Sequence, residues 1–500
     1  MERLKALRKL REELGAEIFL VGGTVRDLIR NKVPNDLDLV VRGVSPSDFQ
    51  NFLKRRGSLE LVGKSFGVYL FRPTGMKGHV DIAFPRTEIS TGPGHTDFKA
   101  VCDPEVSIEE DSLRRDFTLN AMYLSIDAID GTGRFDRRAV IDFHHGLDHI
   151  RRRLIVAVGN PEDRIKEDPL RMLRAAVLVA RTGYRLEGNV FGAIKRHAGL
   201  LDTVASERVG KEFIKIMESD KPSRAFKVMA RTGILEVTLP ELAACIGCGQ
   251  NPKYHSYPVF EHLIYAVDAA CSISDDLVVR FGALCHDLGK APTREIRPGG
   301  DGPNDVSFHN HEIVSTKLAY NFMRRMKFPK DFTEDVIHLV RWHQYKYDRD
   351  WTDKAVRRFI RKCGIERADL DTMDTHPQFL LRQADRMGNQ LKAHLPITQK
   401  QRDFQARIRE VYEKSSAHSL RDLKINGNDI MEKFQLPPSP LIGKTVRYLF
   451  DTVEENPELN TKEQLIELSH KFIKEVEDGR DHRADGSGTA ASAEAAAKGE

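Results

Sequence analysis

The chain has 500 residues, 40% of them hydrophobic and 30% charged, with a formal net charge of +4. That length calls for several domains, and the absence of any run of about eighteen apolar residues excludes a membrane-spanning helix. Six scattered cysteines are too sparse for a disulfide framework, so reduced, mostly buried thiols are expected; the lone C-x2-C pair Cys245/Cys248 makes zinc the weaker reading there.

Residues 1–17 form a charged amphipathic helix, without the apolar stretch and cleavage site of a secretion signal, and the cytoplasm is the expected compartment. Residues 18–21 are a short apolar run stopped by Gly22 and Gly23. Residues 24–30 then read as a helix with Thr24 as its N-cap. Residues 36–41 alternate and end in valines, which predicts a strand. Residues 67–72 and 79–84 predict two more, separated by the turn-rich Pro73-Thr74-Gly75. From Asp163 onward helical periods dominate, as in 169–181 and 208–217. A second set of helices rich in His and Asp follows over 255–390. Residues 398–475 are helical again, interrupted by Pro437, Pro438 and Pro440. Residues 481–500 are rich in Gly, Ser and Ala and cannot bury enough apolar surface to fold alone.

Asp36-Leu37-Asp38 is the centre of the chemistry. Residues i and i+2 of a strand share a face, so two carboxylates project together. Like charges that close call for a cation, and two divalent metals about 4 Å apart would activate a hydroxyl and neutralise a departing pyrophosphate. Mg²⁺ suits a few carboxylates plus phosphate oxygens. Before the acids, Gly22 and Gly23 allow a phosphate close to the backbone, and Arg26 offers a guanidinium to a triphosphate. Asp81, on another predicted strand, offers a third carboxylate. Residues 151–230 carry 17 Lys/Arg against 10 Asp/Glu, a surplus that suits a phosphate backbone.

Residues 18–27 (IFLVGGTVRD) followed by Asn35-Asp36-Leu37-Asp38-Leu39 resemble the class II tRNA nucleotidyltransferases, the bacterial CCA-adding enzymes and poly(A) polymerases. The resemblance continues through Arg114-Arg115-Asp116-Phe117-Thr118 to Asn120, and through Glu167-Asp168-Pro169-Leu170-Arg171 to Arg174. Glu207-Arg208 resembles a further motif. It implies an α+β fold: a polymerase-beta-like α/β head followed by all-helical domains. Asp36 and Asp38 would hold Mg²⁺, with Asp81 joining them. Gly22, Gly23, Arg26, Arg115, Asp116, Asn120 and Arg174 would bind nucleotide. Asp168 and Arg171, three apart on one helical face, would read the base. The segment 142–146 (DFHHG) resembles the family's interdomain motif, but His149 stands where the family usually has Asp. Residues 86–98 resemble its flexible loop.

Cys285-His286-Asp287-Leu288-Gly289-Lys290 resembles the HD phosphohydrolase signature. With His262, His311 (or His309), His343 and Asp385 it matches that family's ligand set. Ni, Mn, Mg or Fe would each be acceptable, and the implied reaction is phosphomonoester or 2′,3′-cyclic phosphodiester hydrolysis.

The expected organisation is a head over 1–150, a helical neck over 151–250 and an HD domain over 251–395. A helical RNA-binding tail over 396–478 and a disordered tail over 479–500 complete it. The expected activity is template-independent CCA addition to tRNA from CTP and ATP. A-only, CC-only and poly(A) addition share the same motifs. A different reading is an HD phosphohydrolase whose head only binds nucleotide.

Overall fold

The computed structural model describes residues 2–34, 36–62, 67–90, 98–130, 133–252, 254–297, 305–345, 351–389, 398–414 and 420–484. Its N-terminal part is a mixed sheet. In chain order the strands are β1 (Glu17–Val21), β2 (Asp38–Arg42), β3 (Gly57–Val62), β4 (Val68–Pro73), β5 (Val80–Ala83), β6 (Arg86–Ser90), β7 (Phe98–Cys102), β8 (Met122–Ser125) and β9 (Val140–Asp142). Seven of them form one sheet in the order β3-β4-β5-β2-β1-β8-β9, and β6 pairs with β7 in a separate hairpin. Within the large sheet β2 and β5 run parallel, which sets Asp38 opposite Asp81 and Leu39 opposite Ile82. β1 runs antiparallel to both β2 and β8. The central strands are rich in Val, Leu, Ile and Phe, residues that fit a pleated, buried surface.

The N-terminal helix Glu2–Leu14 buries Leu4, Leu7 and Leu10, three residues apart on one face. Each such leucine contributes about 2 kcal/mol by leaving water. The helix Pro46–Lys54 buries Phe49, Phe52 and Leu53.

Three local expectations need correction. Asp36 lies in a bend before β2, not in the strand. Thr24 is no N-cap: the helix is Gly23–Ile29, capped by Gly22 at φ 66°, a conformation that favours glycine. The Thr24 hydroxyl instead accepts from the Asp38 N–H at 2.8 Å and donates to the Asp36 carbonyl at 3.0 Å. Third, Asp168 and Arg171 do not share a helix. Helix Pro161–Glu167 ends at Asp168, whose φ of −142° is extended, and the next helix is Arg171–Thr182. The cause is Pro169, whose ring disfavours helical geometry at the residue before it.

Beyond the head the chain is largely helical. One hydrophobic core runs from Leu4 through the neck to Ala384. A second unites Tyr345–Phe379 residues with Phe404, Ile408, Val411 and Tyr412, and so continues across the expected division at 395. A third gathers Leu423, Ile430, Leu449, Phe450 and Leu465. Pro440 does not merely interrupt: it opens the helix Pro440–Glu455, where its missing N–H costs nothing. The last helix, Lys462–Ala484, runs past 478, the expected end of structure. Residues 91–97, which include Gly92, Pro93 and Gly94 of the expected loop, lie outside the described residues. Among the described residues no helix is long and apolar enough to cross a membrane.

Candidate active site in the head and a metal-ligand cluster beyond it

A cavity of about 400 Å³ opens at the edge of the head sheet. Gly22, Gly23, Asp38 and Asp81 line one side; Arg86, Arg114, Arg115, Asp116, Asn120, Arg171 and Arg174 line the other. A Cβ on Gly22 would lie 3.4 Å from Asp38 Oδ2 and 3.9 Å from Arg115 Nη1. The glycine turn therefore sits directly between the acid and the guanidinium.

The acids are strained as free carboxylates. Burial, then the charges of Asp81 and Asp36, push the Asp38 carboxyl up to about 6, against the opposing pull of Arg115 and Arg26. Burial also raises Asp81, with His79 opposing and Asp36 reinforcing. Oδ1 of Asp81 is buried and accepts no hydrogen bond; His79 Nε2 lies 3.4 Å away. An orphaned carboxylate oxygen beside a second acid is what a divalent cation would satisfy, so these residues fit Mg²⁺. Asp36 is exposed and does not line the cavity, yet its charge reaches both other acids.

The basic wall is built on a residue the sequence reading passed over. Asp111 is fully buried within the first turn of helix Ile108–Leu113. Its Oδ1 accepts from Arg114 Nε at 2.9 Å; its Oδ2 accepts from Arg115 Nη2 at 2.9 Å and from the Tyr123 hydroxyl at 2.6 Å. Burial opposes its charge, but Arg115 and Arg114 hold its carboxyl down to about 2. Arg115 also donates to Tyr123 Oη at 2.9 Å. Its guanidinium is thus pinned at the cavity wall, with Nη1 making only a long 3.5 Å contact to the Asn120 carbonyl. Spacing was the available signal, since Asp111 stands three and four residues before the two arginines. Arg86 and Arg114 were likewise not singled out as binding residues, yet both line the cavity.

Arg26 does not face it. It is buried, paired with Asp27 at 2.9 Å, and its Nη1 donates to Asn120 Oδ1 at 2.8 Å. It positions Asn120 and is not among the residues that line the cavity. Asp116 is buried against Arg174 at 2.8 Å; burial raises its carboxyl, but Arg174 and the Phe117 N–H bring it below the usual range. Arg171 reaches back to the head, donating to the Arg114 carbonyl at 3.1 Å and to Glu167 at 2.7 Å. Asp168 lies off the cavity lining and takes Arg208 at 3.0 Å.

Asp142 caps the turn between head and neck, accepting from the N–H groups of Gly146 at 2.8 Å and Leu147 at 2.9 Å. A Cβ at Gly146 would come within 2.5 Å of the Thr118 carbonyl, so only glycine fits. His149 Nδ1 meets the Thr118 hydroxyl at 2.9 Å.

The second cluster lies in a cavity of about 570 Å³. His262, His286 and Asp385 form one group of three ligand atoms, and Asp287, His311 and His343 another. The two oxygens of Asp287 divide between them: Oδ2 is 3.3 Å from His286 and 3.6 Å from His262, Oδ1 3.2 Å from His311 and 3.6 Å from His343. The Nδ1 atoms of His286, His311 and His343 each lie 2.7–2.9 Å from a backbone carbonyl, at Ala283, Phe308 and Val340. A carbonyl only accepts, so Nδ1 carries the proton and each Nε2 turns a lone pair inward. Acceptors then face acceptors, as at His311 Nε2 and Asp287 Oδ1, 3.2 Å apart. Cations resolve that conflict, and the residues fit divalent metal. Burial opposes ionisation of Asp287, and Lys290, 2.6 Å from it, keeps it charged. His309 is in neither group. Among the described residues no third ligand joins Cys245 and Cys248, and burial raises the Cys245 thiol and keeps it protonated.

Residues 18–156 match the poly A polymerase head domain, residues 183–246 the "Probable RNA and SrmB- binding site of polymerase A", and residues 311–469 tRNA nucleotidyltransferase domain 2. The multifunctional CCA protein of Cupriavidus necator is 33% identical over 358 residues, 70% of this chain and 81% of that one. That of Thioalkalivibrio sulfidiphilus is 32% identical over 66% of this chain and 75% of its own. Among solved structures, the Bacillus stearothermophilus CCA-adding enzyme in complex with CTP shares the fold, with a TM-score of 0.62 and 21% identity over 97% of this chain and 98% of that one.

Proposed function

The chain belongs to the multifunctional CCA protein family, and from that premise we propose that it is a metal-dependent nucleotidyltransferase adding CCA to the 3′ end of tRNA from CTP and ATP, without a template. The observation that carries this is the pairing of Asp38 with Asp81 in register beside the glycine turn, across a cavity from five arginines. Asp38 and Asp81, with the exposed Asp36 near them, would hold Mg²⁺, whose chemistry would be to activate the 3′-hydroxyl and offset the charge of the departing pyrophosphate. Gly22 and Gly23 leave room for the triphosphate. Arg115, Arg114 and Arg86 supply preorganised positive charge where phosphate charge develops. Asp116, Asn120 and Arg174 orient the nucleotide. Arg171 reads the base from the neck, and Asp168 joins it at the cavity's edge: a carboxylate accepts from the exocyclic amine that cytosine and adenine share, and a guanidinium donates to the neighbouring acceptor.

The metal cluster supports a second activity, hydrolysis of phosphomonoesters or 2′,3′-cyclic phosphates. His262, His286 and Asp385 would hold one divalent metal and Asp287, His311 and His343 another; Ni, Mn, Fe or Mg suits the donors. Arg382 and Arg386 line the same cavity and would hold the phosphate. We place the head at 1–150, the neck at 151–250, a hydrolase unit that begins at 251 and whose packing carries past 395 to Tyr412, and an RNA-binding tail over 420–484.

The test supplies ATP or CTP singly, with Mg²⁺, to tRNA ending before the first C, after C and after CC. Ordered incorporation of C, C and A is expected. Incorporation of A alone, or repeated A, would move the assignment to A-adding or poly(A) enzymes. No incorporation, with phosphate released from cyclic ends, would favour a hydrolase with a binding head.

A further inference from the structure

A second cavity of about 410 Å³ lies where head meets neck, at the opposite end of helix Gly23–Ile29 from the glycine turn. A seven-residue helix spans about 10 Å, so this cavity is separate from the nucleotide cavity; no lining residue is shared. Its charged lining residues are Arg30, Arg153 and Arg224, and no carboxylate lines it. Arg30 is partly engaged: Nη2 donates to the Thr182 carbonyl at 3.2 Å, Nη1 lies 3.5 Å from Asp27, and the guanidinium sits 5.2 Å over the Tyr184 ring. Among the described residues Arg153 and Arg224 make no side-chain hydrogen bond or ion pair. Arg224 closes onto Gly183, where a Cβ would come within 2.8 Å of its Nη1.

Three helices end at this cavity, Gly23–Ile29, Gly146–Arg152 and Arg171–Thr182. Their terminal carbonyls explain why cations gather, and Arg30 caps one of them. Each helix end contributes at most about half a negative charge, which leaves roughly half of three full positive charges uncompensated. The one acid nearby, Asp27, is shared between Arg26 and Arg30, so Arg153 and Arg224 converge on Arg30 without an acid of their own, and guanidiniums so placed repel one another. A tetrahedral anion with several oxygens relieves that repulsion, and phosphate matches the guanidinium fork. Gly183, Tyr184 and Arg224 also fall within residues 183–246, which match a description of RNA binding.

We propose that Arg30, Arg153 and Arg224 form a phosphate-binding site that holds a backbone phosphate of the RNA acceptor outside the nucleotide cavity. The chemistry is that of phosphate, whether it arrives on RNA or as free pyrophosphate, and the experiment separates the two. It reads binding in the full chain without nucleotide or Mg²⁺, so it does not depend on the addition reaction. Labelled tRNA lacking its CCA end is titrated by fluorescence anisotropy at several KCl concentrations, and inorganic pyrophosphate by calorimetry. The Arg153→Gln/Arg224→Gln pair is expected to weaken tRNA binding about tenfold and to lower the slope of log K against log salt by about two. Arg153→Lys/Arg224→Lys keeps the charge and should keep most of the slope. Arg153→Gln alone, at an exposed position, lowers the slope by about one and serves if the pair does not fold. Unchanged tRNA binding with lost pyrophosphate heat would overturn the RNA assignment in favour of a free anion. Both unchanged in folded variants would overturn the site.

Discussion

Asp38 and Asp81 stand opposite each other on adjacent parallel strands, and the charge of Asp81 adds to burial in raising the cost of ionising Asp38. A free carboxyl raised to about 6 favours the fold at low pH, and that contribution is lost as pH climbs from below 3.8 through 6. Asp38→Asn should therefore raise the melting temperature of metal-free protein at pH 7 while lowering addition at least about a thousandfold. Mg²⁺ should stabilise the wild type and not the variant. A variant that melts lower than wild type in EDTA would contradict this.

Asp111 works in the other sense. Its carboxyl is held down to about 2 by Arg115 and Arg114 despite burial, so its contribution is full above its unfolded value near 3.8 and disappears as pH falls towards 2. Asp111→Asn leaves two guanidiniums without their buried acid and should cost about 3–5 kcal/mol. Denaturant titration at pH 7 measures it. The same variant should raise KM for ATP and CTP alike, because Arg115 loses its anchor; an unaltered KM in folded protein would mean that Arg115 is held by Tyr123 alone.

Asp168 and Arg208 form a half-exposed pair whose removal should change stability by less than about 1 kcal/mol. Asp168→Ala should nonetheless relax the choice among nucleotides, read as the ratio of kcat/KM for ATP or CTP over UTP or GTP. Unchanged ratios would leave base reading to Arg171.

In the second cluster, His343→Ala and Asp385→Ala each strip a ligand from a different group. Each should lower bound metal from about two ions per chain towards one, by elemental analysis after loading with Ni²⁺ or Mn²⁺. Hydrolysis of cyclic phosphate ends should fall with metal content while nucleotide addition persists. A fall in both activities would mean that the two sites are coupled.

What the sequence disclosed was what neighbouring residues decide. The glycine turn was legible from its own residues, and the Arg114–Asn120 segment and the His-Asp pair from their resemblance to known families. The bend at Asp36 and the break at Asp168 were not read, although Pro169 announced the second. Asp111 and the Arg26–Asn120 contact depend on chain segments brought together only by folding, such as β8 against the Ile108–Leu113 helix. The parallel pairing of β2 with β5, which turns Asp81 from a strand acid into a partner of Asp38, is equally invisible to local pattern.

The Thr24 hydroxyl spends its single proton on one side of Leu37 and its lone pair on the other. The loop and the helix are thereby riveted into a single block, and the acids cannot drift from the glycines when substrate leaves. Serine, which keeps the hydroxyl, should therefore replace Thr24 at little loss, whereas the equally shaped valine would loosen the whole platform.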